Sequence, residues 1–400
     1  MLIQAAAGVI LLCGITSCVE SAQTVEETLA AVDTLLQQNQ LRSHNRKQTD
    51  AFKQYIGKYE RIYATDEEVE KRFEIFQKTG KRQHENYGVG WKSDMTKEEV
   101  LQRTGLLLTK EDWTKIKAKI EADKPIVARI VSKITGEPEY FDFREKYPKY
   151  VSPIADQGFC AACWAFAFTA QLESKYAKEH DKQAEPLSKS ELQECTGRDN
   201  CTTGGNFDLA VEYTVNQEGL LYEREYSYRN SKSQMHECAR TIEDEAEVTI
   251  VGYIAMTNDA TEMKKILYEE GPIIVYINSN FLQRNNYSII RKDDINCCPE
   301  FPDGSQSPYY DAGNTNIIDH SVVLVGYGVE DGVPYWIIRN SHGPTFGKDG
   351  YHRIERGTNA CGIEMVGYLV LPNGTRRGPH ISDFHKITFL VCTLFKYVSF

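Results

Sequence analysis

The chain has 400 residues, of which 41% are apolar and 26% charged. That length leaves room for about two or three domains, and that composition supports a sizeable core. A formal net charge of -11 argues against a nucleic-acid binder, which needs a basic footprint, and carries no information about a substrate.

The first fifteen residues carry no charged side chain, the first charge is Glu20, and short residues lead to Ser21. This reads as a secretory signal peptide over 1–21, although its start lacks Lys or Arg. A buried helix of the mature fold is the weaker reading. From about residue 48 to 122 the chain is charged and helical in pattern. Phe52, Tyr55, Ile56 and Tyr59 recur at helical spacing. Thr65-Asp66-Glu67-Glu68 has the form of a capping box, with Val69, Phe73 and Phe76 on one face of the helix it starts. Thr96-Lys97-Glu98-Glu99 repeats the form before Val100 and Leu101. Taken alone, this region is a small helical domain with no stated task.

The texture changes near Gly136-Glu137-Pro138, and Gly, Tyr and Cys become frequent as far as Pro372. Helices are predicted over 163–176, 207–215 and 261–268. Strands are predicted over 248–253, 273–277, 321–327 and 335–338, runs bounded by Gly, Pro or Asn. Helices early and strands late predict an α+β domain with segregated halves. The tail from Asn373 has no assigned role. Its apolar stretch is interrupted by Lys396 and is shorter than the roughly 20 residues of a membrane span, so no span is predicted.

The chain has 11 cysteines. Cys13 and Cys18 lie in the leader and Cys392 in the tail. Cys160, Cys163, Cys195, Cys201, Cys238, Cys297, Cys298 and Cys361 remain, and a secretory route favours disulfides among them. Cys160 and Cys163 form a C-x-x-C, but no second pair of ligands follows at zinc spacing, so no metal is predicted. A redox C-x-x-C is the other reading of the pair.

The segment Gln157-Gly158-Phe159-Cys160-Ala161-Ala162-Cys163-Trp164 carries the strongest chemical signal. Cys163 opens a predicted helix, where the dipole and unpaired N–H groups favour the nucleophilic thiolate. Gln157 lies on the approach and has amide donors for a developing oxyanion. The competing reading of Cys163 is a half-cystine. His320 stands at the start of the 321–327 strand, which fixes an imidazole well and makes it the best base among 9 histidines. Asn340 follows the 335–338 strand, and its side-chain oxygen suits the role of orienting that imidazole.

These segments resemble the papain family of cysteine peptidases in its cathepsin L-like branch. The Cys163 segment is similar to that family's cysteine signature. Asp319-His320-Ser321 with Val325-Gly326-Tyr327-Gly328 is similar to its histidine segment, and Trp336-Ile337-Ile338-Arg339-Asn340-Ser341 to its asparagine segment. The His and Asn follow the Cys by roughly 150 to 180 residues, as in that family. The resemblance runs from about Glu137 to Leu371. It extends upstream through Phe52, Tyr55, Tyr59, Arg61 and Tyr63, then Glu68, Arg72, Ile75 and Phe76, which resemble an inhibitory prosegment. There Thr79 and Gln83 replace the usual Asn and Ile. Gly88 and Asp94 remain from the next motif, while Gly90 and Lys92 depart from it.

The resemblance implies a papain-like fold of two lobes, one helical and one β-rich, with a cleft between them and a helical propeptide domain in front. Behind the signal peptide read at 1–21, it implies a prosegment (22–135) and a peptidase domain (136–372), and it leaves the extension 373–400 without a role. It implies hydrolysis of peptide bonds through a thioester, with Cys163, His320, Asn340 and Gln157 catalytic and no cofactor. Gly204 and Gly205 would meet the substrate backbone, and Tyr276, Ser321 and Val366 would line a shallow apolar second subsite. Partners would be polypeptide substrates, the chain's own prosegment and cystatin-type inhibitors, in a lysosomal or extracellular setting. Cys160 would pair with Cys201, Cys195 with Cys238, and Cys361 with Cys297 or Cys298. Asn286 and Asn373 begin sequons, as does Asn200.

The peptidase segment departs from the pattern as well. His342 and Phe346 stand where Trp is usual, Thr202-Thr203 lengthens a glycine motif, and 280–318 is a long approach to the histidine. His342 is expected to leave the Asn340–His320 contact wetter and, when charged, to weaken the thiolate–imidazolium pair. A His342 turned to solvent is the alternative. A relative that binds peptides or partners with weak turnover is the alternative to an active peptidase.

Overall fold

The computed structural model describes residues 24–38, 46–58, 61–82, 93–96, 99, 105–106, 108–197, 201, 204–232, 234–256, 259–279, 282, 287–292 and 318–374. The predicted leader, Cys297 and Cys298, the sequons at Asn200 and Asn286, and the tail beyond Gly374 lie outside them. The chain divides into two compact units, residues 1–79 and 80–400.

The first unit is built from α1 (Val25–Gln37), α2 (Arg46–Lys58) and most of α3 (Asp66–Arg82). α1 was not predicted. Its start is set by a capping box in which Thr24 and Glu27 exchange bonds, and it buries Thr28, Val32 and Leu35. Phe52 of α2 is the centre of this unit. Its ring lies 5.2 Å from Phe73, 5.1 Å from Phe76 and 6.1 Å from Tyr63, so the predicted apolar faces of α2 and α3 meet. Arg61 donates to the Tyr55 hydroxyl from both Nε (3.0 Å) and a terminal nitrogen (2.9 Å).

In the second unit the described pair Gly105 and Leu106 precedes α4 (Lys110–Val131). A capping box between Thr109 and Asp112 starts α4. The helix runs through Pro125 and ends nine residues beyond the predicted helical stretch. Pro125 removes one backbone donor. Burial of Ile116, Ile120, Val127 and Ile130 outweighs that loss.

The rest of the unit is α+β. Its sheet comprises β1 (Phe141–Asp142), β2 (Ile250–Met256), β3 (Ile273–Ile277), β4 (Ile289–Ile290), β5 (His320–Glu330), β6 (Val333–Arg339), β7 (Tyr351–Glu355) and β8 (Gly367–Pro372). The strand order is β2-β8-β3-β5-β6-β7-β4, with β1 on β5. All pairings are antiparallel except β4 with β7. The longer helices are α5 (Cys163–His180), α6 (Lys189–Cys195), α7 (Phe207–Asn216) and α8 (Ala260–Glu269). β7 and β8 were not predicted; the polar residues of β7 hide a short strand, whereas β8 is an apolar run that was not singled out.

α5 packs against β5 and β8 and is buried around its whole circumference from Cys163 to Lys175. Its polar residues therefore need internal partners. Gln171 donates to the carbonyls of Pro272 (2.8 Å) and Tyr368 (2.7 Å) and accepts from Val370 N (3.0 Å). The amide thereby fastens the helix to the sheet. Two disulfides, Cys160–Cys201 and Cys195–Cys238, tie the loops around α5 and α6, as the resemblance implied. Cys361 is buried, and both its expected partners lie outside the described residues.

Phe73→Ala should empty the centre of the first unit and lower its stability by about 3–5 kcal/mol. Hydrogen exchange in the full chain should then speed up across α2 and α3. Unchanged protection of α2 would show that Phe73 does not hold these helices together.

Candidate active site

Cys163 is the first residue of α5. The preceding Ala162 supplies no side-chain cap, so first-turn N–H groups and the helix dipole are available to stabilise charge on the sulfur. The thiol is fully buried. Its sulfur accepts a hydrogen bond from the backbone N–H of Ser321 at 3.3 Å. Ser321 is the second residue of β5, and His320 is the first.

Sheet register brings the remaining groups together. β3 pairs Ile277 with His320 and Tyr276 with Ser321. On the other edge of β5, Val323 pairs with Arg339, so Asn340 leaves β6 beside the start of β5. His320 Nε2 lies 2.9 Å from Asn340 Oδ1. The same oxygen accepts from Ser341 N at 2.8 Å, and Asn340 Nδ2 lies 2.8 Å from His342 Nδ1. All three side chains are buried. The rings of His320 and His342 stack at 5.1 Å with planes 11° apart, and Phe346 meets His342 edge-on at 5.1 Å. His342 therefore lies in the site rather than in solvent.

Gln157 is also fully buried and is connected to the asparagine loop. Its Oε1 accepts from the Ser341 hydroxyl at 2.5 Å, its backbone N–H donates to Ser341 O at 2.8 Å, and its Nε2 donates to Cys160 O at 2.9 Å. Two residues that were not singled out thus set the geometry. Ser341 links Gln157 to Asn340. Asp319, buried beside His320, accepts from Ser279 N (2.7 Å) and Ser279 Oγ (3.2 Å) and locks the start of β5 to the end of β3. In sequence, both were visible only as members of a motif.

Gly204 and Gly205 face a chain segment that was likewise not singled out. Gly205 N donates to Gly105 O (3.1 Å), and Leu106 N donates to Asp319 O (3.2 Å), with Leu106 and Gly205 in a parallel bridge. The backbone at 105–106 thus passes between the glycine motif and the residue before His320. A Cβ on Gly204 would lie 2.3 Å from Gly105 O, and one on Gly105 would lie 2.6 Å from Ala161 C. Both glycines also have positive φ. Side chains are excluded from this crossing on both sides.

Tyr276 and Val366 are fully buried, in one apolar cluster with Cys163 and Leu106. The Tyr276 hydroxyl accepts from Phe207 N at 3.2 Å, and its ring meets Tyr368 edge-on at 5.4 Å. Burial pushes this phenol well above its ordinary pKa, so it stays neutral.

Residues 137–371 match the family model described as papain family cysteine protease. The chain belongs to the papain family. It is 32% identical over 338 residues to cathepsin F of Drosophila melanogaster, a match covering 80% of this chain and 50% of that protein. The chain thus spans about half the length of that relative. A solved structure described as the basis for limited antibody cross reactivity between the mite allergens Blo t 1 and Der p 1 aligns with a TM-score of 0.64 at 27% identity, covering 80% of this chain and 98% of that one. Digestive procathepsin L 3 from the larval midgut of Tenebrio molitor aligns with a TM-score of 0.63 at 22% identity, covering 82% and 100%, and shares the fold. The α+β architecture is therefore the papain-like one.

Asn340→Ala should destabilise the papain-like domain by about 1–3 kcal/mol, because Ser341 N–H and two buried rings lose a polar partner together. Urea denaturation of the full chain checks this. A midpoint equal to that of the wild type would show that the network contributes nothing to folding.

Proposed function

We propose that the chain is the latent precursor of a cysteine endopeptidase that hydrolyses peptide bonds in polypeptides. One observation carries the reading. The Cys163 sulfur accepts from Ser321 N–H at 3.3 Å, while the adjacent His320 is held by Asn340 at 2.9 Å. Nucleophile, base and orienter thus lie in one run of contacts.

The chemistry follows from these groups. The Cys163 thiolate attacks a peptide carbonyl carbon, forming the C–S bond, and charge moves to the oxygen. Cys163 N–H and the Gln157 amide stabilise that oxyanion. As the C–N bond breaks, His320 gives its proton to the leaving amine, and a thioester remains. His320 then takes a proton from water, the hydroxide attacks, and Cys163 leaves as thiolate. Asn340 Oδ1 holds the imidazole in place throughout.

The region 22–135 acts as an intramolecular inhibitor. Gly105 already occupies the Gly205 N–H that an extended substrate would use. α4 is fastened to β2 by Asp123, whose carboxylate is buried, accepts from Ala255 N at 2.8 Å and pairs with Lys119. Trimming near 134–138 would free an N-terminus before Tyr140. Tyr276, Ser321 and Val366 line the second subsite. An apolar lining rewards a Val or Leu by about 1.5–3 kcal/mol and penalises an unpaired charge. The leader and the two disulfides support a secretory route to a lysosomal or extracellular site, where cystatin-type inhibitors would meet the same cleft.

Cys163→Ala should abolish both peptide hydrolysis and labelling by a peptide epoxide, with the thermal melting of the full chain little changed. Hydrolysis undiminished in that variant would overturn the assignment.

Asp123→Ala should loosen α4 from β2 and raise the rate at which the precursor becomes active severalfold. Activation followed with a fluorogenic peptide measures this. An unchanged lag would show that α4 docks without this carboxylate.

A further inference from the structure

The amide of Asn340 can be oriented without ambiguity. Ser341 N is a backbone N–H and can only donate, so the Asn340 atom 2.8 Å away is the oxygen. Nδ2 therefore faces His342 Nδ1 at 2.8 Å. An amide NH2 can only donate, so Nδ1 of His342 accepts and its ring proton sits on Nε2. The observed geometry requires a neutral His342.

Protonation would place an N–H on Nδ1, facing the NH2 of Asn340. The donors would oppose each other in a buried space that Phe346 closes edge-on. Relief comes if the amide rotates, or if the His342 ring flips or withdraws so that no acceptor faces Nδ2. Rotation takes Oδ1 from both Ser341 N and His320 Nε2, and a flip or withdrawal removes the group that holds Nδ2. The ring stacked on His342 is His320, which is itself cationic in the active pair, so a second cation there is opposed. The other charged or titratable groups around His342 come from each packed element. Asp156 pairs with it through an isolated backbone bridge while its carboxylate accepts from Gly158 N at 2.8 Å, and His352 of β7 lies beyond Phe346. Arg339 of β6 turns its guanidinium onto the carbonyls of Ser152 (2.8 Å) and Pro153 (2.6 Å). Asp156 favours a charged His342, and His320 opposes one.

We propose that His342 is a proton-sensitive positioning residue that holds Asn340, and through it His320, when neutral and releases both when protonated. The expected wetter contact is thereby replaced by a specific bond, and the acid sensitivity gains a donor–acceptor cause. The activity arm of the test rests on the peptidase reading. The tautomer arm does not.

In the full chain allowed to process itself, the acid limb of kcat/KM should fall with two protons in the wild type. It should fall with one in His342→Gln, whose amide oxygen accepts without titrating. The ratio of kcat/KM at about pH 5 to that at about pH 7 should rise about fivefold or more in His342→Gln. His342→Phe keeps a ring but no acceptor, so it should show a one-proton limb and a lower kcat at every pH with KM little changed. Superimposable acid limbs for wild type and His342→Gln would overturn the proposal. Nitrogen-15 spectra of histidine-labelled full-length Cys163→Ala protein supply the second arm, whatever the His342 variants do. They should show His342 protonated on Nε2 alone at neutral pH, and a ring protonated on Nδ1 there would overturn the proposal. If no form of the protein turns over peptide, the peptidase reading fails while the spectra still decide the role of His342.

Discussion

The junction between the N-terminus of α5 and the start of β5 is the contact on which the site depends. A buried thiol at a helix start needs a polar neighbour, and the backbone N–H of Ser321 supplies one at 3.3 Å. That single bond fixes the helix relative to the sheet at the residue after His320. Three further devices hold the junction rigid. Gln171 bonds α5 to both β8 and the turn before β3, Asp319 fastens β5 to β3, and Asn340 closes the space from β6. Each uses a buried polar side chain with its partners satisfied, which makes the arrangement specific as well as stable.

Close approach of backbones is the second constraint. The crossing at Gly105 meets Gly204 and Gly205 with no room for a Cβ on Gly204, and a Cβ on Gly105 would strike Ala161. Such a contact offers main-chain hydrogen bonds without selecting side chains. The same glycines that suit a substrate of any sequence therefore suit a self-inhibitory segment. What distinguishes inhibitor from substrate is the parallel pairing and the α4 docking that follows it, with Asp123 and Lys119 set against β2. In the proposed precursor, α4 is held by burial and by the contact of Asp123 with Ala255 N, and trimming near residue 135 would sever it from the domain.

Much of this was legible in the sequence. Strongly periodic segments, such as Val69-Phe73-Phe76 and the 273–277 strand, matched the helix and the strand observed. The helix at Cys163 and the strands that carry His320 and lead to Asn340 were legible in the residue pattern, and the two disulfides came from the family resemblance. Short elements were not. β7, with three polar residues in five, takes its identity from neighbours in the sheet, and the start of α1 is set by a cap. Pro125 lies inside a helix that tertiary burial carries past it. The roles of Ser341, Asp319 and Gly105 were invisible, because each depends on residues far away in the chain. His342 was noticed as a departure, but its bond to Asn340 emerged only from the paired orientation of the amide and the ring.

The central claim is that a reactive Cys163 lies ready beneath the 105–106 crossing. The most direct measurement is the rate at which a peptide epoxide alkylates Cys163, read by mass spectrometry in the full-length chain and in the chain trimmed near residue 135. The account predicts alkylation roughly a hundredfold slower in the full-length chain, because only the small fraction with the crossing withdrawn can react. Equal rates in the two forms would contradict it.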